Sequence, residues 1–232
     1  MENGVNKMDD FIKGNVLYAT VKQITLEENA FSFLSGTRDK VLLYGENTEN
    51  IAYYLLAKTL KHREKAILIG LGDYHDGYLF DLNLIADYLF SEGLDPMDAL
   101  NKLLVSAAYN INQLEKLSDM LKEHSESPVF LLNIDRMAKS TKEYPRLNNV
   151  LWKIASNSAS YIFLTASAHP LSKSYPPKPQ APHFVRHFVD IIAYVKVKTP
   201  SEFVLYLLKH PLKGYSKITI GGEKYWAETL HQ

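Results

Sequence analysis

Five short apolar runs, separated from one another by segments of helical spacing, constrain this chain most. They are Val41-Leu42-Leu43-Tyr44, Ala66-Ile67-Leu68-Ile69, Leu103-Leu104-Val105-Ser106, Pro128 to Asp135, and Tyr161 to Thr165. Runs of this length with few polar breaks are strands buried on both faces. Between them, apolar residues recur at helical spacing over 50–61, 81–91, 112–123 and 147–156. A further helix starts at Asp95, a good N-cap, with Pro96 at the first helical position. Strands alternating with helices predict an α/β fold, a mainly parallel central sheet flanked by helices. Such sheets bind ligands beyond the carboxyl ends of their strands. Gly45, Asp73, Asp135 and Thr165 all fall there.

The pattern changes after Ala168. Five of the ten prolines lie between Pro170 and Pro182, which predicts an extended loop. Strand composition resumes at 190–198, 203–209 and 215–220, an antiparallel C-terminal extension of the sheet. Thr199-x-x-Glu202 also fits a capping box, which would make 203–209 helical. Its β-branched and aromatic content favours a strand. At the other end, residues 1–14 read as a flexible arm and Asn15 to Gln23 as an edge strand. Residues 15–232 are thus expected to form a single domain.

Lys+Arg and Asp+Glu both number 26, so the chain does not coat nucleic acid by bulk charge. A local basic patch remains open. There is no cysteine, which excludes disulfides, thiolate metal sites and cysteine catalysis. No signal-peptide core is visible and no apolar run approaches the roughly 20 residues of a bilayer span. The expectation is a cytoplasmic protein without membrane contact.

The stretch from Val41 to Ala57 reads strand, glycine, short polar loop, helix, which is the layout of a phosphate-binding loop. The working motif is G-x-x-x-x-G-K-[S/T]. Gly45 holds the first place, but Asn50 stands for the second glycine, Ile51 for the lysine and Ala52 for the hydroxyl residue. No cation from this loop would reach a β- or γ-phosphate, and no hydroxyl would hold Mg²⁺. The expectation is no cofactor and no ATP hydrolysis.

The order and spacing of these elements resemble the RecA/RadA recombinase core, the archaeal RadA paralogues above all, from residue 24 to residue 222. The best local piece is Glu92-Gly93-Leu94-Asp95-Pro96, then Leu103-Leu104-Val105, then Ala107-Ala108-Tyr109-Asn110, similar to the family's GLDP and ILV-x-RAYN run. Phe33-Leu34-Ser35-Gly36 looks like the turn before the family's phosphate loop. Asp135 looks like its Mg²⁺-binding acid at a strand end. The chain departs from the pattern elsewhere. Gly70-Leu71-Gly72-Asp73 replaces the run bearing the catalytic glutamate. Ala166 and Ser167 stand for the γ-phosphate-sensing pair. Phe11-x-x-Gly14 lacks the polymerisation motif's alanine. The family's N-terminal helix-hairpin-helix DNA-binding domain has no counterpart here.

The resemblance implies that the loops after the fourth and fifth core strands touch single-stranded DNA. The first carries Arg136, Lys139, Lys142, Arg146 and Lys153 against one acid, Glu143. The second, His169 to His187, carries Lys173, Lys178, Arg186 and three histidines with no acid before Asp190. Tyr175 would stack on a base. The implied role is a non-catalytic accessory in homologous recombination and DNA repair. It would bind single-stranded DNA, a RadA/RecA-type recombinase or related paralogue, or both, in a possible oligomer. Two alternatives stay open: a nucleotide-free scaffold subunit, and a metal-dependent hydrolase using Asp73, His75 and Asp135. His183 and His187, at i and i+4, lack a third metal ligand in sequence. Phe31, Phe33, Tyr53 and Tyr54 gather around the loop, either as ordinary core or as a plug for an empty site.

Overall fold

The computed structural model describes residues 24–25, 31, 33–73, 79–138, 140–199 and 202–220. The expected arm at 1–14, the edge strand at 15–23, Phe11 and Gly14 lie outside them, as do His75 and Lys139. The chain enters the sheet through β1 (Ile24–Thr25). The core then alternates: β2 (Lys40–Gly45), α1 (Thr48–His62), β3 (Ala66–Leu71), α2 (Leu82–Ser91), α3 (Pro96–Leu100), β4 (Leu103–Ala108), α4 (Ile111–Met120), β5 (Val129–Leu132), α5 (Tyr144–Asn157) and β6 (Ile162–Ala166). A short α6 (Val185–Phe188) leads into β7 (Ile191–Thr199), β8 (Glu202–Lys209) and β9 (Ser216–Ile220).

These strands make one sheet in the order β1-β9-β8-β7-β2-β6-β5-β3-β4. The pairs from β4 through β7 are parallel. β7, β8 and β9 form the antiparallel extension. The segment 203–209 is therefore a strand. β2 sits mid-sheet because β7 returns to pair along its far side, Val41 to Gly45 opposite Ile191 to Val195.

The period-2 alternation of strand side chains sorts the apolar residues into two layers. Val41, Leu43, Leu68, Phe130, Phe163 and Val195 pack with α1, α2 and α3. Leu42, Ile67, Leu131, Leu164, Ile192 and Tyr194 pack with α4, α5 and α6 on the other side. Both faces of the parallel strands are covered, which is why those strands read as unbroken apolar runs.

The helix ends follow side-chain chemistry. The Asp81 carboxylate accepts from the amides of Asn83 and Leu84, and the Asp95 carboxylate from those of Met97 and Asp98. Glu92, at the C-terminal end of α2, is buried and ion-paired to Lys58 at 2.6 Å and Lys61 at 3.4 Å. This pair clamps α2 to α1. Removing the lysines would strand the buried Glu92 carboxylate without a counter-charge, a costly state.

Candidate functional site

The carboxyl ends of β2, β5 and β6 converge as expected, but what they hold differs from the motif reading. After Gly45 the chain makes only two turn residues before α1 begins at Thr48. The motif spacing puts the helix start at residue 50 and leaves a loop long enough to wrap a phosphate. Instead Asn47 adopts the left-handed conformation, with φ 47°, and turns the chain straight into the helix. Asparagine tolerates that conformation better than most residues. The Glu46 amide donates to the Val195 carbonyl at 3.1 Å, and its carboxylate accepts from the Val197 amide at 2.8 Å. The turn is thereby laced to β7.

Ile51 and Ala52, at the lysine and hydroxyl places, are 0% and 1% exposed and belong to the core under α1. Asn50 is half-buried on the first turn. The polar group at this mouth is Glu49, whose carboxylate accepts from the Asn133 side-chain amide at 2.6 Å. An acid suits the positive end of α1, and with Glu46 it gives the mouth two carboxylates where a phosphate would bring more negative charge.

Asp135 does not end its strand. β5 stops at Leu132, and Asn133, again left-handed with φ 64°, turns the chain into a 3-10 turn over Ile134–Arg136. Asp135 therefore lies on that turn, two residues beyond the expected position, where its carboxylate accepts from the Ser167 amide at 3.4 Å. The residue that occupies the strand end is Asn133, whose backbone amide donates to the Thr165 hydroxyl at 2.8 Å. Reading the apolar run as continuing through Ile134 concealed this. The asparagine itself was the signal, because it is the strand breaker within the run.

The two basic loops fare differently. Arg146 and Lys153 are on α5, not in a loop, and each is paired to α4: Arg146 with Glu115 at 2.7 Å and Lys153 with Asp119 at 2.9 Å. They spend their charge holding two helices together at the surface. Arg136 and Lys142 are exposed ahead of α5.

The second loop is folded into an arm. Ala168 bridges Pro179, the His169 amide donates to the Lys178 carbonyl, and the Gln180 amide to the Ser167 carbonyl. Lys173, Lys178 and Arg186 are all exposed on it or on α6. Between this arm, α6 and the start of β7 lies a cleft of about 610 Å³, bordered by Lys178, Arg186, His183 and His187 with no carboxylate in its lining. The His183 and His187 rings lie against each other, tilted by 58° with centres 5.0 Å apart. Among the described residues no group of three His, Cys, Asp or Glu side chains is placed to hold a metal ion. Phe33 and Tyr53 are buried, and Phe31 and Tyr54 pack against the same core.

Tyrosines dominate the region between the arm and the sheet. The Tyr44 hydroxyl donates to the Pro177 carbonyl at 2.7 Å, which ties the arm down. Burial, more than any charge, pushes the Tyr53 phenol up to about 12. Tyr44 and Tyr88 are pushed higher still for the same reason. In the unfolded chain such phenols ionise near 10. Above that pH the unfolded chain releases protons that the folded chain keeps, so stability falls as pH rises. The folded contribution is complete below about pH 10 and drains away as pH climbs through the folded values. We expect the thermal midpoint to drop steeply from about pH 10 to about pH 12. The tyrosinate absorbance of Tyr44, Tyr53 and Tyr88 should appear together with unfolding. A folded chain at the upper pH showing the absorbance of all 15 tyrosines would contradict this.

No protein-family model matches the sequence, and no curated protein matches it. Among solved structures, the chain is similar to one described as the crystal structure of the RadB recombinase. The likeness covers 81% of this chain and 90% of that one, at a TM-score of 0.63 and 18% identity. At that identity the likeness speaks to architecture: a RecA-like α/β fold whose mainly parallel sheet is extended by antiparallel C-terminal strands.

Proposed function

We propose that this chain is an accessory protein of homologous recombination that does not hydrolyse ATP and that binds single-stranded DNA through its second loop. The observation that carries the reading is the state of the phosphate-loop place. A two-residue turn stands there, Ile51 and Ala52 are core residues, and Glu49 bonds to Asn133 across the mouth. Phosphoryl transfer depends on positioned cations and amides around the phosphates, and this mouth offers carboxylates. Two further observations support the reading: the likeness to a recombinase, and the acid-free, basic arm with Tyr175 exposed on it.

The test is a fluorescence-anisotropy titration with labelled single-stranded DNA, with and without ATP·Mg²⁺. With Lys173, Lys178 and Arg186 as the phosphate contacts, affinity should fall roughly 20-fold between about 50 and about 200 mM salt. Nucleotide should make no difference. The Lys173→Glu/Lys178→Glu variant should bind far more weakly. ATP-dependent binding, or ATP turnover above background, would overturn the reading. A recombinase or paralogue partner is the second reading. Phe90 and Met97, 75% and 73% exposed on and just after α2, favour it. DNA binding undetectable at low salt, with partner capture intact, would decide for it.

A further inference from the structure

The outer face of the C-terminal strands carries an aromatic row in register. Tyr44 on β2 lies opposite Tyr194 on β7, Tyr194 opposite Tyr206 on β8, and Tyr206 opposite Lys217 on β9. Directly opposed residues in a sheet share a face, so four adjacent strands present one line. The rings touch: Tyr44 to Tyr194 at 5.4 Å, Tyr194 to Tyr206 at 5.9 Å, and Tyr206 to Tyr215 at 6.5 Å. Tyr175, from the arm, stands edge-on over both Tyr194 and Tyr206 at 6.2 and 6.1 Å.

Burial divides the row in two. Tyr44 and Tyr194 are core residues beneath the arm, ordinary packing. Tyr206 and Tyr215 stay half-buried and Tyr175 is 55% exposed, so the outer half of the row meets solvent. Lysines flank that outer half. Lys196, two residues along β7 from Tyr194, is exposed and sets its ammonium 5.6 Å from the Tyr175 ring centre. Lys217 ends the row. The two carboxylates at the margin are engaged: Glu46 with the Val197 amide and Glu202 with Lys198.

We infer that this face, centred on Tyr206 with Tyr175 and Tyr215 beside it and Lys196 and Lys217 at its edges, is a base-stacking platform for single-stranded nucleic acid. Aromatic rings offer stacking surfaces to bases of any identity, and ammonium groups alongside meet the backbone. The platform adjoins the arm through Tyr175, so a strand held by Lys173 and Lys178 continues onto the sheet. The inference takes its ligand from the proposed function and extends the site from the second loop onto the sheet.

Anisotropy with labelled oligo-dT and oligo-dA tests it on the full chain. Lys196→Glu/Lys217→Glu should weaken both probes about tenfold and lower the steepness of the salt dependence by about 1.4. Tyr206→Leu keeps the apolar body and should lose about tenfold, whereas Tyr206→Phe keeps the ring and should bind as the parent does. Photocrosslinking of a halogenated oligo-dT should mark Tyr206 or Tyr215. If the parent binds, the arm variant Lys173→Glu/Lys178→Glu fails and the platform variants bind normally, the platform is wrong and the loop reading stands. If Tyr206→Phe loses as much as Tyr206→Leu, stacking is wrong. If the parent binds neither probe at low salt, both readings fall.

Discussion

Ile51→Lys is expected to destabilise the protein severely and to restore no ATP hydrolysis. The substitution puts back the residue that a working phosphate loop carries at this spacing. In a vacated but intact loop it would be harmless and could recover nucleotide binding. Here position 51 is 0% exposed, inside the layer that α1 shares with β2, β3 and β5. A lysine there loses the buried isoleucine, worth about 1.5–3 kcal/mol. It also places an ammonium group in an apolar layer, or forces α1 outward to release it. Together these cost on the order of 5 kcal/mol, a large share of the roughly 5–15 kcal/mol that holds a typical domain. At about 2–4 °C per kcal/mol for a chain of this size, the melting midpoint should fall by about 10–20 °C. Ile51→Val is the control and should cost about 1 kcal/mol. Circular-dichroism melts of the pair read the difference. An Ile51→Lys protein that melts with the parent, or that turns over ATP, would mean that the side chain can reach the mouth and that the site is dormant, not dismantled.

The motif spacing and the structure part company at this point for a physical reason. Spacing counts residues, and Gly45 to Ala52 fits the count. Whether the intervening residues wrap as a loop or enter a helix depends on Asn47 turning left-handed and on Glu46 being tied to β7. β7 lies some 150 residues further along the chain, and no local reading can include it. Local chemistry was legible wherever it is self-contained: the Asp95 cap, the buried strands, and the strand at 203–209 despite its capping-box look. Features built by distant partners were not. Arg146 and Lys153 look like free loop cations until α5 begins at Tyr144 and sets them against Glu115 and Asp119. Likewise the tyrosine row exists only because β7 returns beside β2, which places Tyr194 between Tyr44 and Tyr206.

Gly45→Ala should be nearly as damaging as the lysine substitution, and it separates two explanations for the glycine. A phosphate loop needs its first glycine for the chain's approach to a ligand. In this fold the need lies in the sheet. Gly45 has φ 126°, a conformation that L residues rarely adopt. A Cβ there would lie 2.3 Å from the Val195 carbonyl oxygen and 2.8 Å from the Tyr194 ring. Both obstacles belong to β7, whose Val195 is the sheet partner of Gly45 itself. The methyl can be accommodated only by prising β2 from β7 at the head of the tyrosine row. Backbone strain of about 1–3 kcal/mol adds to overpacking of similar size, for a total of roughly 3–5 kcal/mol. Gly93→Ala isolates the strain alone, because Gly93 has φ 75° but nothing lies within 4 Å of the place its Cβ would take; it should cost about 1–2 kcal/mol. Denaturant midpoints of the two variants, measured without nucleotide, make the comparison. A Gly45→Ala protein no less stable than Gly93→Ala would move the need for glycine away from the β7 backbone and back to a ligand. A gap of about 2 kcal/mol or more would tie the glycine to sheet packing, and would explain why it persists in a loop whose other motif positions do not match.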